Sequence, residues 1–413
     1  MQLNFGGDGA TLGGIPYSGN IGVRYVRTVN ESSGGITLPS FEPDELVCEP
    51  TPAPGGGGAP PVPFTLGCYL DPDDVAFADG EDIPSVVEAE HSHTLPSFNV
   101  KFNLTEEWLL RFAASRAMAR PDIGLLRNYL GVSKTTPDQN DPNDPLWIKD
   151  ENGDIIGAQV RYTGSAHNPF LEPMTAEQFD LSLEWYFADV GSATLTLFKK
   201  DFNDYVQVGR YLRDVTNNGV TRTVEVTGPI AGDGASIKGY EIAYQTFFDF
   251  LPGFWSGFGV QLNYTSLDNQ GITNPNLRSA QPDADAITDQ APDTVQVSAL
   301  EGLSDDSYSA ILMYEYEKIS ARLAYSWRSE YLVTAIDCCV AYPVWQDEYG
   351  QVDLSFAYHL TDNVQLHIQG SNVTGEETVL YQQVTNDADG RLLLPNAWFQ
   401  NDKRYTIGLR LNF

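Results

Sequence analysis

Stretches of about ten residues in which apolar and polar side chains alternate recur along this chain, and the connections between them are short and long by turns. The last stretch, 404–413 (RYTIGLRLNF), shows the pattern. Tyr405, Ile407, Leu409, Leu411 and Phe413 share one face, and Thr406, Gly408, Arg410 and Asn412 share the other. A strand has a side-chain period of two, so such a stretch is a strand with one apolar and one polar face. Twelve are predicted, at 18–29, 95–103, 108–115, 179–187, 192–208, 238–250, 258–267, 308–316, 319–331, 351–360, 364–372 and 404–413. Short turns fall at 103–108, 188–192, 251–257, 315–318 and 360–363. Long loops fall between them, at 30–94, 117–178, 209–237, 268–307, 332–350 and 373–403. Loops sorted by parity fit an up-and-down barrel with short turns at one rim and long loops at the other. A sandwich or propeller does not sort them so, and no repeat at a propeller period is present. The fold expected is all-β: an antiparallel transmembrane β-barrel, lipid on its apolar face and a watery lumen on its polar one.

Composition narrows the function. No run of 18 apolar residues occurs, so no transmembrane helix is predicted. The 56 acidic against 24 basic residues give a formal charge of -32, which repels nucleic acid. Trp108, Trp185, Tyr186, Phe187, Phe248 and Trp255 lie near short turns, where an interface girdle of a membrane barrel would sit. On the polar faces, Glu184, Arg322, Arg328, Asp353, His359, His367 and Arg410 are expected to face the lumen. Four cysteines allow three pairings. Cys48 with Cys68 is the pairing expected, as a staple of a Gly/Pro-rich loop in an oxidising compartment. Adjacent Cys338 and Cys339 either bridge or stay reduced. The N-terminal QLNFGGDGATLGG has no basic or apolar region of a signal peptide, so a piece of a longer protein is expected.

Six segments carry a family resemblance: GIPYSGNIGVRYVRT (14–28), LRFAASRAMARPDIGLL (110–126), NPFLEPMTAEQFDLSLEWYF (168–187), the run 237–265, the run 302–332 and the terminal RYTIGLRLNF. Together they make the chain resemble the C-terminal part of a TonB-dependent outer-membrane receptor, closest to the subgroup common in Xanthomonas- and Caulobacter-like bacteria. The resemblance implies a barrel of about 22 strands around an N-terminal plug, of which these would be the last twelve, with the plug absent. Residues 1–413 would then be a partial barrel domain, with 30–94 a long acidic extracellular loop and 117–178 a second extracellular loop. It further implies residence in the outer membrane of a Gram-negative bacterium, contact with its lipid, and import of a scarce nutrient energised by TonB through the missing N-terminal part. The terminal Phe413 resembles the aromatic end that barrel-assembly machinery recognises. One departure is NDKRY (401–405), where a Gly before the final Arg would be usual.

The subgroup points to an oligosaccharide, and the wider family to siderophore, haem or cobalamin. Loop aromatics able to stack on sugar rings are Trp147, Tyr211, Tyr342, Trp345, Tyr349 and Trp398; the alternative is that they pack loop on loop. Residues 30–94 hold thirteen acids and no Lys or Arg, which disfavours anionic ferric siderophores. DPDD (71–74), DGED (79–82), DPND (141–144) and DENGD (150–154) offer oxygen ligands for calcium, but equally suit plain β-turns. DENGD lacks the Gly an EF-hand loop needs, having Ile155 there. No resident cofactor or metal is expected otherwise. A self-contained 12-stranded passive channel is the alternative function, since an even count can close. An enzyme is not expected: the histidines His91 and His93 lack an evident third ligand, and no GxSxG, HExxH or P-loop occurs.

Overall fold

Each alternating segment finds its partner in the next one along the chain. The computed structural model describes residues 1–49, 65–232, 234–270, 274–275, 295–335, 337, 342–385 and 390–411. The wall consists of β1 (Gln2–Leu12), β2 (Ile15–Thr37), β3 (Asp82–Asn103), β4 (Trp108–Ala119), β5 (Met174–Ala188), β6 (Gly191–Asn203), β7 (Ala235–Phe247), β8 (Phe258–Gln270), β9 (Asp306–Tyr316), β10 (Ile319–Arg328), β11 (Tyr349–Thr361), β12 (Val364–Ser371) and β13 (Arg404–Leu411). Every neighbouring pair is antiparallel. Among the described residues, β1 pairs only with β2 and β13 only with β12, so both are edges.

Among the described residues the wall has thirteen strands, not twelve. The added one is β1, whose Gly6, Gly7 and Gly9 take left-handed φ values and put an irregularity between the Gly6 and Thr11 pairings. Glycines contribute no side chain to an alternating pattern, so only Leu3 and Phe5 keep its rhythm. The turn to β2 is made by Gly13 and Gly14, both at positive φ.

Side-chain alternation sets the two faces. Cross-strand register lines up Leu181 with Leu197, Leu195 with Ile242, Leu312 with Leu323 and Ile368 with Ile407. These rows lie on the outside, where Ile407 is 73% and Leu409 63% exposed. Leaving such a belt in water forgoes about 25 cal/mol per Å² of apolar surface. Hydrocarbon around the wall removes that penalty, as in an outer-membrane barrel. At the short-turn rim Trp108 stacks on Trp185 at 5.3 Å, Trp185 meets Phe187 at 4.7 Å, and Phe187 meets Tyr244 at 5.8 Å. Farther along the rim Trp255, Phe258 and Tyr314 continue the band.

The long-loop rim is more ordered than its sequence suggests. β2 and β3 stay paired up to Thr37 and Asp82, so the loop read at 30–94 narrows to 38–81. That read at 117–178 narrows to 120–173. The stretch 209–237 is mostly a hairpin, Val206–Asn217 with Val220–Ala231. The segments Tyr129–Thr135 and Arg161–Ala166 add two further strands. Together these four form a cap sheet in the order β2, 129–135, 161–166, 220–231, 206–217. Two of its junctions are parallel, β2 with 129–135 (Gly35 opposite Tyr129) and 220–231 with 161–166 (Glu225 opposite Thr163). The cap therefore ties the tip of β2 to the loop between β6 and β7. Its core is Leu38, Phe77, Leu130, Tyr162, Val224 and Val226, all buried.

Candidate functional site

The cap is where a ligand arriving from the long-loop side would meet the molecule. Three loops are locked together there. In the first, Pro72–Phe77 forms a short helix, capped at its start by the Asp71 carboxylate accepting the Asp73 N–H. Asp74 from this helix is buried. It accepts from Arg222 Nε at 2.6 Å and from the Tyr162 hydroxyl at 3.2 Å. Burial, with Asp74 beside it, pushes the Tyr162 phenol well above the ordinary tyrosine range. The hairpin tip grips the helix end: Asn217 Nδ2 donates to the Phe77 carbonyl and Asn218 Nδ2 to the Ala76 carbonyl, at 2.9 and 3.0 Å. Both amides also donate to the Asp79 carboxylate. Lys134 donates to Glu45 at 2.7 Å with its ammonium over the Phe41 ring. A disulfide joins Cys48 and Cys68 across a Cα–Cα distance of 4.7 Å.

At the opposite end of the same hairpin, its base, lies a partly enclosed cleft of about 380 Å³. Leu125, Val206, Val208, Pro229 and Leu300 make its apolar surface, with Gln207 and Glu301 as polar groups. Glu301 is fixed by accepting the Ala335 N–H at 2.7 Å, and Gln207 by accepting the Tyr205 hydroxyl at 3.0 Å. The volume and mixed lining suit a small ligand.

The sequence matches the TonB dependent receptor-like β-barrel family over residues 2–373. The chain belongs to that family. Comparison with curated proteins finds no match. Among solved structures, a mutant of the ferric enterobactin receptor PfeA of Pseudomonas aeruginosa aligns with all of this chain and 53% of its own, at 15% identity and TM-score 0.51. The siderophore receptor PiuA of Acinetobacter baumannii aligns with 95% of this chain and 40% of its own, at 12% identity and TM-score 0.50. At such identities the likeness shows the fold alone. This TonB-dependent receptor chain spans about half the length of those receptors. Its place is the Gram-negative outer membrane.

In this receptor barrel, most of the aromatic residues read as stacking platforms are engaged elsewhere. Trp147 is 5% exposed, packs edge-on to Tyr69, and donates its indole N–H to the Asp138 and Asp141 carbonyls. Trp345 is buried, donates to Gln383 Oε1 at 2.7 Å and lies under the Arg391 guanidinium. Tyr211 packs on the cap core, and burial raises its phenol pKa. Tyr349 donates to Gln351 at the top of β11. Tyr342 accepts the Asp337 N–H through its carbonyl. Neither Trp147 nor Trp345 has an open face for a sugar ring, because the loops need large apolar side chains for a core of their own. Trp398 differs: it is 60% exposed, on the strand Leu393–Gln400 that rises above β13.

The polar wall residues sit on the face opposite the lipid belt, with distinct roles. Glu184 accepts from Arg111 Nε at 2.5 Å and from the Tyr186 hydroxyl at 3.0 Å. Asp353 accepts the Asn372 N–H at 2.9 Å and so pins the bend above β12, where Asn372 has φ 50°. Arg328 donates to Ser304 and to the Gly302 carbonyl and lies over the Tyr331 ring, closing a loop. Arg322 is 3.5 Å from Glu315. His359 is within hydrogen-bond reach of Gln365, and His367 lies against Gly408. Arg410 is exposed, opposite Gln365. The acidic motifs serve turns. Asp141 accepts the Asn143 N–H, Asp144 the Leu146 N–H and Asp150 the Asp154 N–H. Those backbone bonds hold Asp150 below the ordinary aspartate range. No group of three metal-ligating side chains is preassembled among the described residues. His91 and His93 lie in β3 rather than a loop. Phe413, Cys338 and Cys339 lie outside the described residues.

Proposed function

We propose that this chain is the C-terminal part of the barrel of an energised outer-membrane receptor, which captures a scarce small molecule at its cap and imports it with TonB. The supporting observation is the strand count. In an antiparallel wall of thirteen, β1 and β13 run in the same direction and cannot close on each other antiparallel. An even set closes; this one needs an odd number of further strands. Adding nine gives the size of the known receptor barrels of about 22 strands. The same count argues against a self-contained channel of twelve strands. TonB would act through a part of the receptor outside these residues, and Phe413 would address the assembly machinery.

For the ligand, a neutral or cationic metal chelate of the siderophore type is favoured over an oligosaccharide. A ferric enterobactin receptor and a siderophore receptor are among the structures it resembles, the cleft lining is largely apolar, and the acidic cap disfavours an anionic chelate. The oligosaccharide reading rests on one observation, the exposed Trp398 ring. The test is calorimetric titration of the full-length receptor with ferric hydroxamates, ferric catecholates and malto-oligosaccharides. Hydroxamate binding weakened by Leu300→Asp supports the chelate reading. Oligosaccharide binding abolished by Trp398→Ala overturns it.

A further inference from the structure

Two histidines of β3 have no part in the clasp or the cleft. His91 and His93 lie two residues apart in an unbroken antiparallel register with β2, so both side chains leave the strand on the lumen side, away from the lipid belt. In an antiparallel strand their Cα atoms are about 7 Å apart. Each Nε2 is buried and has no hydrogen-bond partner among the described residues. Buried polar atoms are normally paired, so two such nitrogens on alternate positions of one strand call for a partner. The other ring nitrogen of His91, Nδ1, faces Glu172 Oε1 at 3.8 Å. A carboxylate there favours the tautomer with its proton on Nδ1, which leaves the Nε2 lone pair free. The His91 side chain is 11% exposed and that of Glu172 58%, so the carboxylate marks the side open to solvent. Thr28, opposite His91, accepts from Arg120 Nε at 3.3 Å, which ties that guanidinium to β2.

We infer that His91 and His93 hold one divalent transition-metal ion through their Nε2 atoms, with Glu172 as the positioning carboxylate. Neutral imidazole suits copper, nickel and zinc. Metal–nitrogen bonds of about 2 Å let imidazoles from alternate strand positions meet at one ion. The chain offers two ligands, and water fills the remaining positions. Copper(II) should bind most tightly of the three, as it does at nitrogen sites in general. Calcium, which takes oxygen ligands, has no match here. The inference is independent of what the receptor imports.

The test titrates the whole, metal-stripped gene product in detergent with copper(II) alone, read by electron paramagnetic resonance. One ion should bind, with hyperfine splitting from two nitrogens. His91→Asn and His93→Asn should each weaken binding by more than about tenfold and remove one nitrogen from the splitting. Glu172→Gln should weaken it about tenfold while both nitrogens remain. His359→Asn, on a distant part of the wall, should leave binding unchanged. Heat-modifiable migration shows whether each variant is folded. Oxidation of the copper-loaded parent by ascorbate and oxygen, mapped by mass spectrometry, needs no variant and should mark His91 and His93. Absence of copper binding, splitting from a single nitrogen in the parent, or binding unchanged in both folded histidine variants overturns the inference. So does oxidation confined to other residues.

Discussion

Removing the cation from the cap clasp should loosen the cap without dissolving the wall. Asp74 is 7% exposed, and its partners are Arg222 and the Tyr162 hydroxyl. In Arg222→Ala the carboxylate stays buried with a single neutral donor. Breaking a buried pair in this way typically costs about 3–5 kcal/mol. The Arg222 side chain retains 26% of its exposure, so water can reach part of the gap and the expected loss is about 2–3 kcal/mol. At about 1.4 kcal/mol per factor of ten, backbone amides of 73–79 and 220–226 should exchange roughly 30- to 140-fold faster. Hydrogen-exchange mass spectrometry on the receptor in detergent reads this directly, with β9–β12 as the unchanged control. Tyr162→Phe should cost only about 1 kcal/mol, because Arg222 remains. Neutralising both partners, Asp74→Asn with Arg222→Met, should restore most of the protection. Exchange in Arg222→Ala within threefold of the parent would refute the assignment of the clasp as the cap's main lock.

Three other outcomes follow from the same structure. Cys68→Ser opens a loop of about 20 residues, a loss of about 3 kcal/mol in the chain-entropy account, so Glu-C should cut at Glu42, Glu45 or Glu49 at least tenfold faster. Gly239→Ala would place a Cβ 2.2 Å from the Ser266 carbonyl oxygen, between strands already paired on both sides. The expected cost is about 1–3 kcal/mol and a smaller heat-modifiable fraction on gels. Asp79 is held below the ordinary aspartate value of 3.8 by the Glu81 N–H and the Asn218 and Asn217 amides. Its contribution is therefore complete above that value and lost as pH falls through the lower folded value. Protection at 217–218 should persist at pH 5 and fade only below the ordinary aspartate range.

The wall was legible in the sequence because lipid on one side and water on the other impose a strict period of two. Strands such as β5, with Phe179, Leu181, Leu183, Trp185 and Phe187 against Asp180, Ser182 and Glu184, carry that period without interruption. β1 escaped because its glycines are silent in the pattern. The cap escaped for a different reason. Strands 129–135 and 220–231 do alternate in burial, but each run is short, carried by Leu130 with Val132 and by Val224 with Val226. Its locks join residues far apart in the chain, as Asp74 and Arg222 do with 148 positions between them. Nothing local marks such a pair. The cleft is assembled likewise from separate segments, through Leu125, Gln207 and Glu301, none within a motif. Trp147 and Trp345 were visible as aromatics in loops, but whether a ring is a platform or a core residue depends on what folds over it.

The odd count of strands also fixes which way the two ends of the described sheet point. β1 runs from Gln2, opposite Gly22 part-way along β2, down to the Gly13–Gly14 turn, and β13 descends to the short-turn rim. Both edge strands of the described sheet therefore run toward the short-turn rim. A reporter tag inserted in the cap should be reachable by antibody on intact cells. The same tag appended beyond β13 should stay hidden until the outer membrane is breached, so the cap and the foot of β13 can serve as opposite-side reporters of a single molecule's insertion.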